Sequence, residues 1–221
     1  MTPERFTRLK HVLLRRQHDL TVLADGVHKD HNISAIIRSC DAVGVARLHA
    51  VSPGGEVRRH RRIAGGSRRW VDVELHDTTE DAYAELRRNG LRILAAHGAP
   101  DAVDFRDTDF TQPTAIVLGS ELEGPTPYAI EQADAAITIP MHGLVESLNV
   151  SVAAAVILFE AERQRTAAGL YSRPPADATA FNKTLFEWAQ PEIARRCHEQ
   201  KLPYPELTED GDLLTNPFTD W

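Results

Sequence analysis

This 221-residue chain is marked first by what it has little of. It carries two cysteines, Cys40 and Cys197, too few for a disulfide framework, so a reducing cytoplasm is the expected setting. Long apolar runs are missing too. Nothing approaches the length of a membrane span, and the opening Met-Thr-Pro-Glu-Arg lacks the character of a signal peptide. A basic surplus is absent: the formal net charge is −7, which argues against a general nucleic-acid coat. There is no internal repeat and no low-complexity segment.

Several catalytic signatures are missing as well. No Gly-x-Gly-x-x-Gly follows the first predicted strand, which disfavours a dinucleotide-binding domain. Gly119-Ser120-Glu121-Leu122-Glu123-Gly124 has the look of a glycine loop, but it lacks the Gly-Lys-Ser/Thr ending that cradles phosphates. Ser120 and Ser147 lie outside any Gly-x-Ser-x-Gly elbow. His28 and His31 have no Cys or Glu at ligand spacing and read as surface residues, so no metal is expected. Cys40 falls on the apolar face of a predicted helix and reads as core.

What is present is ordinary in bulk: 42% hydrophobic and 26% charged residues, as in a globular protein able to bury a core. Thr2-Pro3-Glu4 starts a helix running to about Arg16, with proline at its first position and an acid in its first turn. Predicted strands follow at Leu20–Ala24, Arg47–Val51, Trp70–Leu75, Leu91–Ala96, Thr114–Leu118 and Ile137–Ile139. Helices fall between them at 32–44, 79–89 and from about Thr126, and 101–109 reads as loop. Strands alternating with helices predict an α/β fold with a parallel sheet covered by helices on both faces. Helical turns return at Phe181–Trp188 and Pro191–Gln200. The implied division is an N-terminal helical extension (1–19), a sheet domain (20–170) and a C-terminal helical extension with its tail (171–221).

The chain is organised around the stretch from Ile137 to Glu162. Pro140 ends a strand because it cannot donate to the ladder. Ser147 is placed to cap the helix that follows, and that helix is apolar almost all round from Leu148 to Phe159, which predicts full burial. Asn32 similarly reads as the cap of its own helix, where Ile33, Ile36, Ile37 and Cys40 form one apolar face and Ser34 and Arg38 stand opposite. Arg58, Arg59, Arg61, Arg62, Arg68 and Arg69 cluster within one connection. Read blandly they are a solvated loop; read functionally they hold phosphates, with Trp70 behind them in the core.

Ile139-Pro-Met-x-Gly-x-x-x-Ser147-Leu-Asn-Val-Ser-Val-Ala resembles the third motif of the SPOUT methyltransferases of the TrmH type, which methylate ribose 2′-hydroxyls of RNA. Leu118-Gly-x-Glu-x-x-Gly124 and Asn32-x-Ser-Ala-x-x-Arg38 resemble its second and first motifs, in the right order. The opening helix and the Leu-Pro-Tyr-Pro tail look like the branch that acts on the D-loop guanosine of tRNA. The resemblance implies S-adenosylmethionine as cofactor, a homodimer, and a deep trefoil knot in roughly 92–165. It implies a cofactor pocket of backbone from Ala96, Leu118, Gly119, Ile139, Met141 and Leu148. It also implies Arg38 as the group activating the ribose oxygen, with Asn32, Glu121, Ser147 and Asn149 around it, and RNA held by Arg58, Arg59, Arg61, Arg62 and Arg68. No DNA and no membrane is expected as partner. Three alternatives stay open: ribosomal RNA as substrate, an idle RNA-binding protein, and Arg38 merely paired with Asp41 one turn on.

Overall fold

The computed structural model describes residues 1–52, 70–215 and 217–218. The arginine-rich connection expected to hold RNA (Arg58, Arg59, Arg61, Arg62, Arg68) lies outside the described residues. Contacts divide the chain into two compact units, one of Gln17–Leu170 and one of Met1–Arg16 with Tyr171–Trp221.

The larger unit is a seven-stranded sheet among the described residues, in the order β3-β2-β1-β6-β4-β7-β5 with every neighbouring pair parallel. The strands are β1 Leu20–Ala24, β2 Arg47–Val51, β3 Asp72–His76, β4 Arg92–Ala96, β5 Val103–Asp104, β6 Thr114–Leu118 and β7 Ala135–Thr138. Central β1 and β6 are buried at every position, as a sheet covered on both faces requires. Alternation sorts their side chains. Leu20, Val22, Leu94 and Ile116 join one core cluster, and Leu23, Ile93, Ala115 and Val117 join the other. The first face is covered by α2 Asp30–Ala42, through Ile33, Ile36, Ile37 and Cys40, and by α5 Val150–Ala167, through Ala154, Ile157, Leu158 and Ala161. The second is covered by α3 Thr79–Arg88 and α4 Pro127–Gln132, through Ala82, Tyr83, Leu86 and Ala129. Each fully buried Ile or Leu contributes about 1.5–3 kcal/mol to this packing.

Four local expectations are corrected. The stretch 101–109 is not all loop: Val103–Asp104 pairs with β7, and Phe105–Asp107 forms a 3-10 turn. Trp70 does not begin β3, which starts at Asp72, where Arg47 on β2 grips both Asp72 and Glu74. Ser147 is not the cap of α5. Asn149 is, its carbonyl oxygen accepting from the Ser151 amide at 2.9 Å, a job a side-chain amide does as well as a hydroxyl. Nor is α5 buried all round, since Val152 and Phe159 are 48% and 52% exposed.

The smaller unit pools residues far apart in sequence. Helix α1 (Pro3–Leu14), capped by Thr2, packs on α6 (Ala178–Ala189), which packs on α7 (Pro191–Gln200). Its buried residues include Phe6, Leu9, Leu13, Leu185, Phe186 and Cys197. Tyr204 stacks on Phe186 with centroids 4.6 Å apart and donates to Glu187 at 2.9 Å. Sequence shortage is thus made up by joining the two ends of the chain into one small core.

Candidate functional site

In a parallel sheet every strand ends at the same edge, and ligands gather in the crevice outside those ends. Here the register aligns Ala24 with Leu118, Ala95 with Val117 and Ala96 with Ile137. The chain therefore leaves β4, β6 and β7 side by side, at Ala96, Leu118-Gly119 and Ile139. All of the expected cofactor positions lie on or just after these strand ends except Leu148, which stands one residue before the cap of α5. Ile139, Met141 and Leu148 are half-buried, so apolar walls adjoin loops rich in backbone groups.

Gly119 has a steric reason to be glycine. A Cβ there would overlap the backbone of Gly124 and Pro125, because the loop folds straight back on itself. Ser120 and Gly124 exchange both backbone hydrogen bonds, at 2.9 and 3.0 Å, and Gly124 sits at φ +72°, where only glycine is unstrained. The tight turn leaves Glu121 at its tip.

Glu121 meets the other two motifs. Asn32 donates from Nδ2 to the Glu121 carboxylate, and its Oδ1 accepts from Asn149 Nδ2 at 3.2 Å. Asn32 is buried in the first turn of α2. It is not the cap of that helix, which starts two residues earlier after Lys29. Its side chain is free for the cross-chain contacts because the helix amides do not need it. Lys29 approaches the same Glu121 oxygen at 3.9 Å. Burial pushes the Glu121 carboxyl up. Its own backbone amide, Asn32 and the charge of Lys29 together outweigh that and hold it below its ordinary value, so the group is an anion at neutral pH. Asn32, Glu121 and Asn149 thus form one hydrogen-bonded chain across 117 residues of sequence separation.

Arg38 and Ser147 are not part of that chain. Both are exposed, Arg38 on α2 and Ser147 in the loop before α5. Among the described residues no ion pair joins Arg38 to Asp41, the alternative weighed for it. Two residues near the site escape a sequence reading. Lys29 is one. The other is Asp25, a buried acid just past β1, whose only outward sign is an Asp-Gly pair after an apolar strand. Among the described residues no group of three or more His, Cys, Asp or Glu is placed to hold a metal. Among the described residues no helix is long and apolar enough to cross a membrane.

Comparison with known proteins gives two family matches. The model of the SpoU rRNA Methylase family matches residues 19–159, and that of the SpoU, rRNA methylase, C-terminal region matches residues 163–216. The tRNA (guanosine(18)-2′-O)-methyltransferase of Escherichia coli (strain K12) is 47% identical over 226 residues, covering 100% of this chain and 96% of the relative. Among solved structures, the A. aeolicus TrmH/SpoU tRNA modifying enzyme superposes with a TM-score of 0.77 at 42% identity, covering 86% of this chain and 97% of that one. The SpoU methyltransferase AviRb from Streptomyces viridochromogenes, in complex with the cofactor AdoMet, superposes with a TM-score of 0.58 at 32% identity, covering 68% and 62%.

Proposed function

The chain belongs to the SpoU rRNA Methylase family, and on that footing we propose that it transfers the methyl group of S-adenosylmethionine to the ribose 2′-oxygen of the D-loop guanosine of tRNA. One observation carries the reading: identity of 47% along the entire chain to an enzyme of that name. S-adenosylmethionine is the cofactor. Its sulfonium supplies an activated methyl group, so the protein's share of the work is alignment and a more nucleophilic oxygen.

The backbone of Ala96, Leu118, Gly119, Ile139, Met141 and Leu148 holds the cofactor in this reading. Three adjoining strand ends with half-buried apolar walls and closely turned loops support the assignment. Arg38 is assigned to the RNA. A guanidinium hardly deprotonates and is a poor base. It grips a phosphate beside the target ribose and stabilises negative charge as it grows on the 2′-oxygen. Glu121, Asn32 and Asn149 fix the relative placement of the three motif loops through their hydrogen-bonded chain. Ser147, exposed in the loop two residues before Asn149, is assigned with them to the polar shell of the site.

The trefoil knot in roughly 92–165 is part of the proposal. It is supported by the position of β7, which lies between β4 and β5 although it follows both in the chain. A homodimer is supported by the apolar residues left exposed on α5 and before it, Leu144, Val145, Val152 and Phe159; a monomer in sedimentation at micromolar concentration would count against it. The arginines Arg58, Arg59, Arg61, Arg62 and Arg68 are assigned to tRNA phosphates, so removing their charge should flatten the salt dependence of binding. Cys40 and Cys197, both buried and neither in a disulfide, suit a cytoplasmic location. Catalysis is assigned to residues 20–170, with 1–19 and 171–221 as extensions. Incubating the protein with S-adenosylmethionine and unmodified tRNA, then digesting to nucleosides for mass spectrometry, tests the reading. Methylated guanosine is expected, and its absence refutes the assignment.

A further inference from the structure

The loop that carries Gly119 and Glu121 is hooked at both ends by a single side chain and its own amide. Asp25 follows β1, and its backbone N–H donates to the Leu118 carbonyl at 2.8 Å, where the loop begins. Its Oδ2 accepts from the Thr126 amide at 2.7 Å, where the loop ends and α4 starts. Its Oδ1 accepts from Thr79 Oγ1 at 2.8 Å, at the start of α3. Asp25 is 1% exposed. A carboxylate buried this deeply costs several kcal/mol unless donors surround it, and here both oxygens have one.

The surroundings make this hook stiff. Thr126 also caps α4 by accepting from the Ala129 amide at 3.2 Å. The Tyr83 hydroxyl on α3 donates to the Ala129 carbonyl at 2.6 Å. Two helices and one strand end are thereby fastened to Asp25, and the loop between Leu118 and Thr126 hangs from that frame. Inside the loop, the Ser120–Gly124 pairing fixes the turn, and beyond it Glu121 reaches Asn32.

We infer that Asp25 is a positioning residue for methyl transfer, holding both feet of the Gly119–Pro125 loop so that Glu121 and the Gly119 backbone stay aligned with the site. This rests on the methyltransferase reading given above. Asp25 touches no reacting group and acts through the loop.

A double-mutant cycle on the full chain tests it, with single-turnover methyl transfer to unmodified tRNA at saturating S-adenosylmethionine. Asp25→Ala is expected to slow transfer about tenfold or more. Asp25→Asn keeps an acceptor for the Thr126 amide, while the Thr79 hydroxyl can turn to accept from the new amide, so it should restore most of the rate. In a Glu121→Ala background the same Asp25→Ala change should cost no more than about twofold, because both changes disable one unit. Full additivity with Glu121→Ala, or wild-type rate in Asp25→Ala, overturns the inference. Asp25→Ser, too short to reach Thr126, carries the same test if alanine does not fold. Hydrogen exchange at the Thr126 amide needs no activity and separates this inference from the functional reading. Faster exchange in Asp25→Ser supports the hook even if the unmutated protein methylates nothing, and unchanged exchange refutes it.

Discussion

Arg165 is the largest side chain in the fully buried set, with 0% exposure, and replacing it should show what a buried guanidinium contributes. Its Nε donates to the Phe110 carbonyl at 2.9 Å. One terminal nitrogen donates to Gln17 Oε1 at 2.9 Å and Asp19 Oδ1 at 2.5 Å, and the other to the carbonyls of Asp19 and Gln112 at 3.2 and 3.1 Å. Asp19 is 41% exposed, so water screens that ion pair and little stability is assigned to it. The cost of Arg165→Ala comes instead from the Phe110 carbonyl and Gln17 Oε1, which lose this buried donor, and from the carbonyls of Asp19 and Gln112, which fall back on the Thr114 amide and hydroxyl. The bonds are not additive, and the central expectation is a loss of about 3–5 kcal/mol. In a chain of this size that lowers the melting temperature by about 6–20 °C. Arg165→Lys should recover less than half, since one ammonium cannot reach five acceptors. All these acceptors lie just before β1 and β6, at the opposite end of the strands from the site. Turnover per folded molecule should therefore hold at a temperature where the variant is folded. Urea unfolding and a methyl-transfer assay on the same preparation decide the matter. A stability loss under about 1 kcal/mol, or a loss of turnover in fully folded protein, would refute the reasoning.

Arg38→Ala should slow methyl transfer by about a hundredfold or more, roughly 3 kcal/mol, with cofactor affinity nearly intact; a variant that keeps most of its turnover on tRNA sinks the role given to Arg38. Gly119→Ala forces the loop off Gly124 and Pro125, so cofactor affinity and turnover should fall together, and calorimetry giving wild-type affinity would contradict the steric argument. His49 is buried on β2, with Nδ1 2.9 Å from His76 Nε2. Burial first, then the neighbouring His76 and Arg47, lower its pKa to about 4. The unfolded chain takes up a proton near 6.5 and the folded one does not, so the stability present above pH 6.5 is lost as pH falls toward 4, by up to about 3 kcal/mol. His49→Gln should flatten that slope in urea midpoints measured from pH 7 to 4, and an unaltered slope would assign the acid sensitivity elsewhere.

Long apolar segments with clear punctuation were legible from sequence. Strands β1 and β6 fall on the residues their composition marks, because a strand buried on both faces leaves a nearly continuous apolar run; β2 also falls on its expected bounds, although Arg47 and His49 interrupt its apolar residues. Val103–Asp104 was not legible, since a two-residue strand exists only through its partner β7. The apolar wrap of α5 predicted burial, and Val152 and Phe159 show that an apolar helix face does not by itself say what covers it. At the site, motif resemblance picked out Asn32, Glu121 and Asn149, while local reasoning offered Asn32 only a cap. The bond between Asn32 and Glu121 spans 89 positions, and no local periodicity encodes a contact at that range. Asp25 escaped for a related reason: its partners Thr79 and Thr126 lie 54 and 101 positions away.

The strand order has a consequence during synthesis. One flank of β4 is taken by β6, but the other waits for β7, which starts at Ala135, roughly 40 residues after β4 ends at Ala96. At translation speeds of about 5–20 residues per second that flank emerges from the ribosome seconds before its partner exists. Throughout that interval a row of unpaired amides and carbonyls beside Leu94 and Ala95 is open to any other strand, including the same segment of a neighbouring nascent chain. Slowing elongation between codons 97 and 134 should therefore lower soluble yield, while the finished protein, its β4 flanked on both sides, keeps no trace of the hazard.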